Sequence, residues 1–140
     1  PPRSTLFPYT TLFRSHAFGF AEKGRNEMSD AERSGLEGLG FRICTASHVL
    51  SGAERGMSRK FQGAYPVEIA AHTLRLFGQG VKVCVEASVM ALDGGLIPYG
   101  TPVVALGGTM SGLDTAVVLS PAHAGALFDT RIHEILCKPS

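Results

Sequence analysis

The sequence predicts an α/β fold, and three observations carry the prediction. Segments with helical spacing fill most of residues 29 to 94, interrupted by the β-rich stretch Phe41 to Ala46. Ile132 to Cys137 is a third strand candidate after two apolar runs of strand length, Val103 to Leu106 and Ala116 to Leu119. These runs are continuous rather than alternating, which suits strands covered on both faces, as in a parallel-type sheet. Helices interleaved with buried strands define the α/β class.

The elements follow in order. Ser29-Asp30-Ala31-Glu32 fits a capping box, in which the hydroxyl caps the third amide and the Glu reaches back. A short polar helix runs from it to the glycines Gly38 and Gly40. Phe41 to Ala46 reads as a strand. Ser51-Gly52-Ala53-Glu54 is a second capping-box match and opens a helix to about Phe61. Pro66 suits the first turn of a third helix, where its missing N–H is not needed. Val67, Ile69, Ala70, Leu74 and Phe77 form that helix's apolar stripe, and Gly78 and Gly80 break it. Val81 to Leu92 is apolar nearly all round, with Glu86 the main charged exception. A helix of that kind is usually buried.

The chain has 140 residues, the size of one ordinary domain. Hydrophobic residues make up 44% and charged residues 18%, a globular composition. Lys and Arg number 13 against 12 Asp and Glu, and the basic residues are scattered. That argues against a nucleic-acid partner. Three Cys supply neither a disulfide framework nor CxxC spacing. No apolar run reaches the roughly 18 residues of a membrane span. The expectation is a cytoplasmic domain with no membrane, nucleic-acid or metal partner, and with homo-oligomerisation left open.

Residues 1–15 (PPRSTLFPYTTLFRS) differ in style from 16–140: they are rich in Pro and hydroxyls and contain no acid. The segment resembles translated sequencing-adapter sequence and is expected to be a non-native extension. Without Arg3 and Arg14, 11 basic residues face 12 acids and the net charge changes from +1 to −1.

The strongest local signal for chemistry is the run Gly107, Gly108, Thr109, Met110, Ser111, Gly112, Leu113, Asp114, Thr115. Glycines let backbone N–H groups approach an anion, and hydroxyls add donors. The run therefore reads as a phosphate cradle, or as a tight strand-to-strand connection that needs positive φ. It is neither a P-loop nor GxGxxG. Arg59 and Lys60, with Gly19, are weaker anion-binding candidates, since adjacent basic residues on a helix diverge. Cys44 and His48 are four apart but need not meet. All three Cys, including Cys84 and Cys137, read as small buried hydrophobes. The histidines show no HExxH or HxH spacing. Glu86 and Asp93 share a helix face and could do acid–base work, but pairing of Glu86 with Lys82 at i,i+4 is the preferred reading.

From about residue 16 to 138 the chain resembles the stand-alone family related to the pyruvate kinase C-terminal (alpha/beta) domain. The phrases Leu76-Phe77-Gly78-Gln79-Gly80-Val81-Lys82-Val83-Cys84, Val89-Met90-Ala91-Leu92-Asp93 and Asp114-Thr115-Ala116-Val117-Val118 carry the resemblance. It implies a three-layer sandwich with a mostly parallel sheet, here missing its first strand–helix unit. It implies no catalytic residue for phosphoryl transfer, and a phosphorylated small-molecule ligand, a sugar phosphate or FMN. The missing unit would carry the main phosphate cradle, and its loss would leave strand edges uncovered. Thr10 to Arg14 alternates weakly and could fill the vacant strand position. The expected function is a small-molecule-binding domain. The alternatives are a flavin-dependent enzyme of unknown reaction, or a regulatory or interaction domain.

Overall fold

A computed structural model gives the fold and describes residues 12–16, 19, 22–109 and 112–140, with backbone alone for 12–16. The elements are β1 (Leu12–His16), α1 (Asp30–Gly38), β2 (Phe41–Thr45), α2 (Ala53–Phe61), α3 (Pro66–Arg75), α4 (Gln79–Asp93), β3 (Val103–Gly107), β4 (Thr115–Ser120), a 3₁₀ segment (Ala124–Asp129) and β5 (Arg131–Cys137). Every element expected from residue 29 onward forms close to its expected bounds. Residues 1–11 of the proposed extension lie outside the described residues, and β1 spans the boundary expected after Ser15.

Local chemistry sets the helix starts. Ser29 accepts from the Glu32 amide and Glu32 reaches back to the Ser29 amide, completing the capping box of α1. The second expected box does not form. The cap of α2 is Gly52, with no side-chain cap bond. Glu54 instead accepts from the Glu68 amide at 2.8 Å, in the first turn of α3. A carboxylate at a helix N-terminus is favoured wherever it comes from, so this one serves the neighbouring helix. Pro66 opens α3 as expected.

The sheet differs from the expected one. β3, β4 and β5 form an antiparallel three-stranded sheet in the order β3-β4-β5. Val103 pairs with Leu119, Ala105 with Val117 and Gly107 with Thr115. The mostly parallel three-layer sandwich is therefore wrong for this chain, for a physical reason. Residues 108–114 are the whole connection from β3 to β4, whereas a parallel crossover needs roughly a dozen residues or more. The one parallel pairing among the described residues joins β1 to β2, from Leu12↔Phe41 to His16↔Thr45, in a separate two-stranded sheet with α1 in the crossover.

The core forms where α4 lies on the antiparallel sheet. Val81 and Cys84 of α4 pack with Val117 and Leu119, and Val103, Ala105 and Ile135 close around them. The opposite face is open: Val104 and Leu106 are exposed, as is Leu136 on β5. Continuous apolar runs thus arise in a sheet covered on one face. As its composition requires, α4 is enclosed on nearly all sides, with eleven of its fifteen residues buried.

The glycines divide by surroundings. A Cβ on Gly80 would overlap the Thr115 side chain, and one on Gly107 would lie 2.5 Å from the Gly80 carbonyl oxygen. Gly35, inside α1, faces open space. Gly80→Ala is expected to destabilise the fold by about 1–3 kcal/mol through overpacking. Gly35→Ala should stabilise it by about 0.5–1 kcal/mol. Urea unfolding followed by circular dichroism measures both; equal shifts in the two variants would refute the close packing of α4 on β4.

Candidate functional site

Two polar centres flank α4. The first lies at its N-terminus. Gly78 is the cap residue, at φ +118°, and offers no side chain to the first-turn amides. Arg75, the last residue of α3, donates from Nε to Gln79 Oε1 at 2.8 Å. Lys138 comes in beyond β5, its Cδ 4.0 Å from where a Gly78 Cβ would stand.

The two ends of the glycine-rich run, Gly107 and Asp114-Thr115, lie against this end of the helix. Gly107 and Thr115 end the paired strands, and the Asp114 amide donates to the Gly107 carbonyl at 3.0 Å. Gly112 takes φ +83°, and Gly108 lies so close to the Gly112 carbonyl that a Cβ would collide with it. These are the demands of a tight hairpin, which a run of glycines meets without strain. The buried Thr115 hydroxyl donates to Asp114 Oδ1 at 2.7 Å, and that oxygen would lie 3.0 Å from a Gly80 Cβ. Thr109, Gly112 and Asp114 are exposed along the outer edge. Met110 and Ser111 lie outside the described residues.

The weaker candidates sit elsewhere. Arg59 and Lys60 are exposed in the last turn of α2, where Lys60 Nζ lies 5.4 Å from the Phe61 ring centre. Gly19, at φ +71°, donates its amide to the Arg25 carbonyl at 2.7 Å.

The second centre is built on the Glu86 carboxylate, on the face of α4 turned away from the antiparallel sheet. Glu86 is 1% exposed and Lys82 3%. The Lys82 ammonium donates to Glu86 Oε2, which His48 Nδ1 approaches at 2.8 Å. Leu50 donates its amide to Oε1 at 2.9 Å. Burial pushes the Glu86 carboxyl up, but hydrogen bonds from His48 and Lys82, with their charges, hold it below its ordinary value. The expected Lys82–Glu86 pair is present, and His48, 38 residues away, adds a partner that no spacing motif pointed to. Its one clue was a charged i,i+4 pair inside an otherwise apolar helix, because charges so placed need more partners than each other.

Other polar pairs lie outside these two centres. Asp93 accepts from His123 Nδ1 at 2.7 Å, and Tyr99 stacks on that ring with centroids 5.7 Å apart. His133 Nε2 lies 2.8 Å from Ser120 Oγ. Burial, with Asp114 and Cys137 nearby, pushes the Cys84 thiol up to about 11, so it stays a neutral core group. Among the described residues no group of three or more His, Cys, Asp or Glu is placed to hold a metal ion. No helix among them is long and apolar enough to cross a membrane. No family model matches the chain.

Lys82→Met should cost about 3–5 kcal/mol, because it strands a buried carboxylate. Adding Glu86→Leu should recover much of that loss. Urea unfolding of the single and double variants checks this; a double variant as unstable as the sum of its parts would contradict it. The pH dependence has a definite sign. A carboxyl held low in the folded state stabilises above its unfolded value of about 4.3, and the contribution is lost as pH falls through the folded value. Stability should therefore drop below about pH 4, with a shallower drop in Lys82→Met/Glu86→Leu.

Proposed function

We propose that this chain is a small-molecule-binding domain whose ligand presents a phosphate to the start of α4 and the outer edge of the Gly107–Thr115 hairpin. The observation that carries the reading is the bare cap of α4. A helix N-terminus bears roughly half a positive charge and unpaired N–H groups, a ready anion site. Here the cap residue Gly78 has no side chain to fill it. Arg75 stands beside it, the Lys138 stem passes it with its ammonium on the Pro139 carbonyl, and Thr109 and Gly112 offer an exposed hydroxyl and a backbone amide on the hairpin.

The Asp114 carboxylate constrains the ligand. It lies against Gly80 in the first turn of α4, where it repels a second anion and accepts hydrogen bonds from hydroxyls. A phosphate on a polyhydroxylated chain satisfies both conditions, with the phosphate toward Gly78 and the hydroxyls toward Asp114. Sugar phosphates and FMN have that form. Gly80, Gly107 and Thr115 are in mutual contact, so the ligand binds over the hairpin's edge rather than between hairpin and helix. The reading is of a cytoplasmic binding domain rather than a phosphoryl-transfer enzyme.

Titration with FMN, followed by quenching of flavin fluorescence, and calorimetry with inorganic phosphate test the reading. FMN is expected to bind, with phosphate as competitor. Arg75→Ala/Lys138→Ala should weaken both by at least about tenfold, equivalent to about 1.4 kcal/mol. Binding unchanged in that variant, or none by wild type at millimolar ligand, would overturn it.

A further inference from the structure

The Glu86 centre has a feature that helix packing alone does not require. A buried carboxylate can be satisfied by Lys82 and the Leu50 amide, yet it also holds an imidazole that is 43% exposed. An ionised carboxylate only accepts, so the Nδ1 facing it carries the hydrogen. In the neutral ring the other nitrogen, Nε2, then presents its lone pair, and the buried carboxylate favours that tautomer. Lys82 shares the same oxygen, so Glu86 orients the ring while its own charge is already balanced. A carboxylate that orients an imidazole with the far nitrogen free is the arrangement of general-base sites.

The position supports a ligand-facing role. His48 lies just beyond Thr45, the carboxyl end of β2, in the one parallel pair described. Ligands of parallel sheets collect beyond the carboxyl ends of strands. Arg33 donates from Nη2 to Thr45 Oγ1 at 2.6 Å and from Nη1 to Glu37 Oε1 at 3.4 Å, a long, exposed pair that a ligand anion would compete with, so a guanidinium stands at the same strand end. The other two histidine pairs lack the combination: the Asp93 side chain is 39% exposed, and His133 meets a hydroxyl.

We propose that His48 is the proton acceptor of a second site at the carboxyl end of β2, acting on a small anionic acyl compound, with Glu86 as the positioning residue and Arg33 holding the negative charge. In the simplest reaction of this class a water O–H bond breaks and its proton passes to Nε2. The hydroxide oxygen bonds to the acyl carbon, the leaving oxygen departs with the electron pair of the C–O bond, and the imidazolium returns its proton to solvent. This site is independent of the phosphate reading.

The probe is mono(4-nitrophenyl) succinate, with release of nitrophenolate followed across pH. His48→Gln is expected to lower the protein-dependent rate by about 100-fold, the lower end for a general base. His123→Gln and His133→Gln should retain the rate, and Arg33→Gln should raise KM with little change in kcat. Glu86→Gln should lose rate, with Glu86→Asp recovering part of it. Because Glu86 variants can fail to fold, the wild-type ring is also read directly, by two-bond ¹H–¹⁵N correlation. Hydrogen on Nδ1 of His48 supports the proposal. Hydrogen on Nε2, a rate unchanged in His48→Gln, or equal losses in all three histidine variants would overturn it.

Discussion

The structure depends on one buried carboxylate. Glu86 lies in the middle of α4, and α4 is the element on which both halves of the chain pack. One of its faces carries the antiparallel sheet through Val81 and Cys84. The other turns toward the loop after β2, and there Lys82, His48 and the Leu50 amide converge on Glu86. A charge at 1% exposure is tolerable only with such a set of donors. The same set ties residues 48–50 to the helix, so the condition that lets α4 be enclosed also joins the β1–β2 region to the rest. Leu50, 2% exposed, is buried as a consequence.

The elements were legible from sequence because their signals are local. The capping box at Ser29, Pro66 at a helix start and the apolar circumference of Val81 to Leu92 each act within a few residues. The sheet was not, because direction is decided by what joins the strands. The apolar runs at Val103 and Ala116 suggested strands covered twice, whereas the short link between them permits only an antiparallel return. That link was itself readable, and its length outweighs the composition of the runs it connects. The expected box at Ser51 failed for a related reason: Glu54 had a partner outside its own helix, in the Glu68 amide.

The sites divide the same way. The glycine run was visible as a motif, and both of its readings were open. The hairpin geometry explains Gly107, Gly108 and Gly112 by close approach and positive φ, while Thr109, Gly112 and Asp114 remain exposed. A turn can thus be dictated by packing and still present donors. The Glu86 centre was half visible. Lys82 lies on the same helix at a recognisable spacing, but His48 and Leu50 reach Glu86 only through the tertiary fold, and no periodicity links them. The preference for Lys82 over Asp93 as partner of Glu86 rested on spacing and charge; Asp93 binds His123 instead.

Hydrogen exchange at the Leu50 amide tests the role of Glu86 most directly. That N–H belongs to a loop, outside any helix or strand, and its partner is Glu86 Oε1. If the carboxylate joins the loop to α4, the Leu50 amide exchanges near neutral pH as slowly as the amides of Val85 and Val89 in the buried helix. Exchange at the rate of an exposed loop amide such as that of Gly52 would contradict the central place given to Glu86.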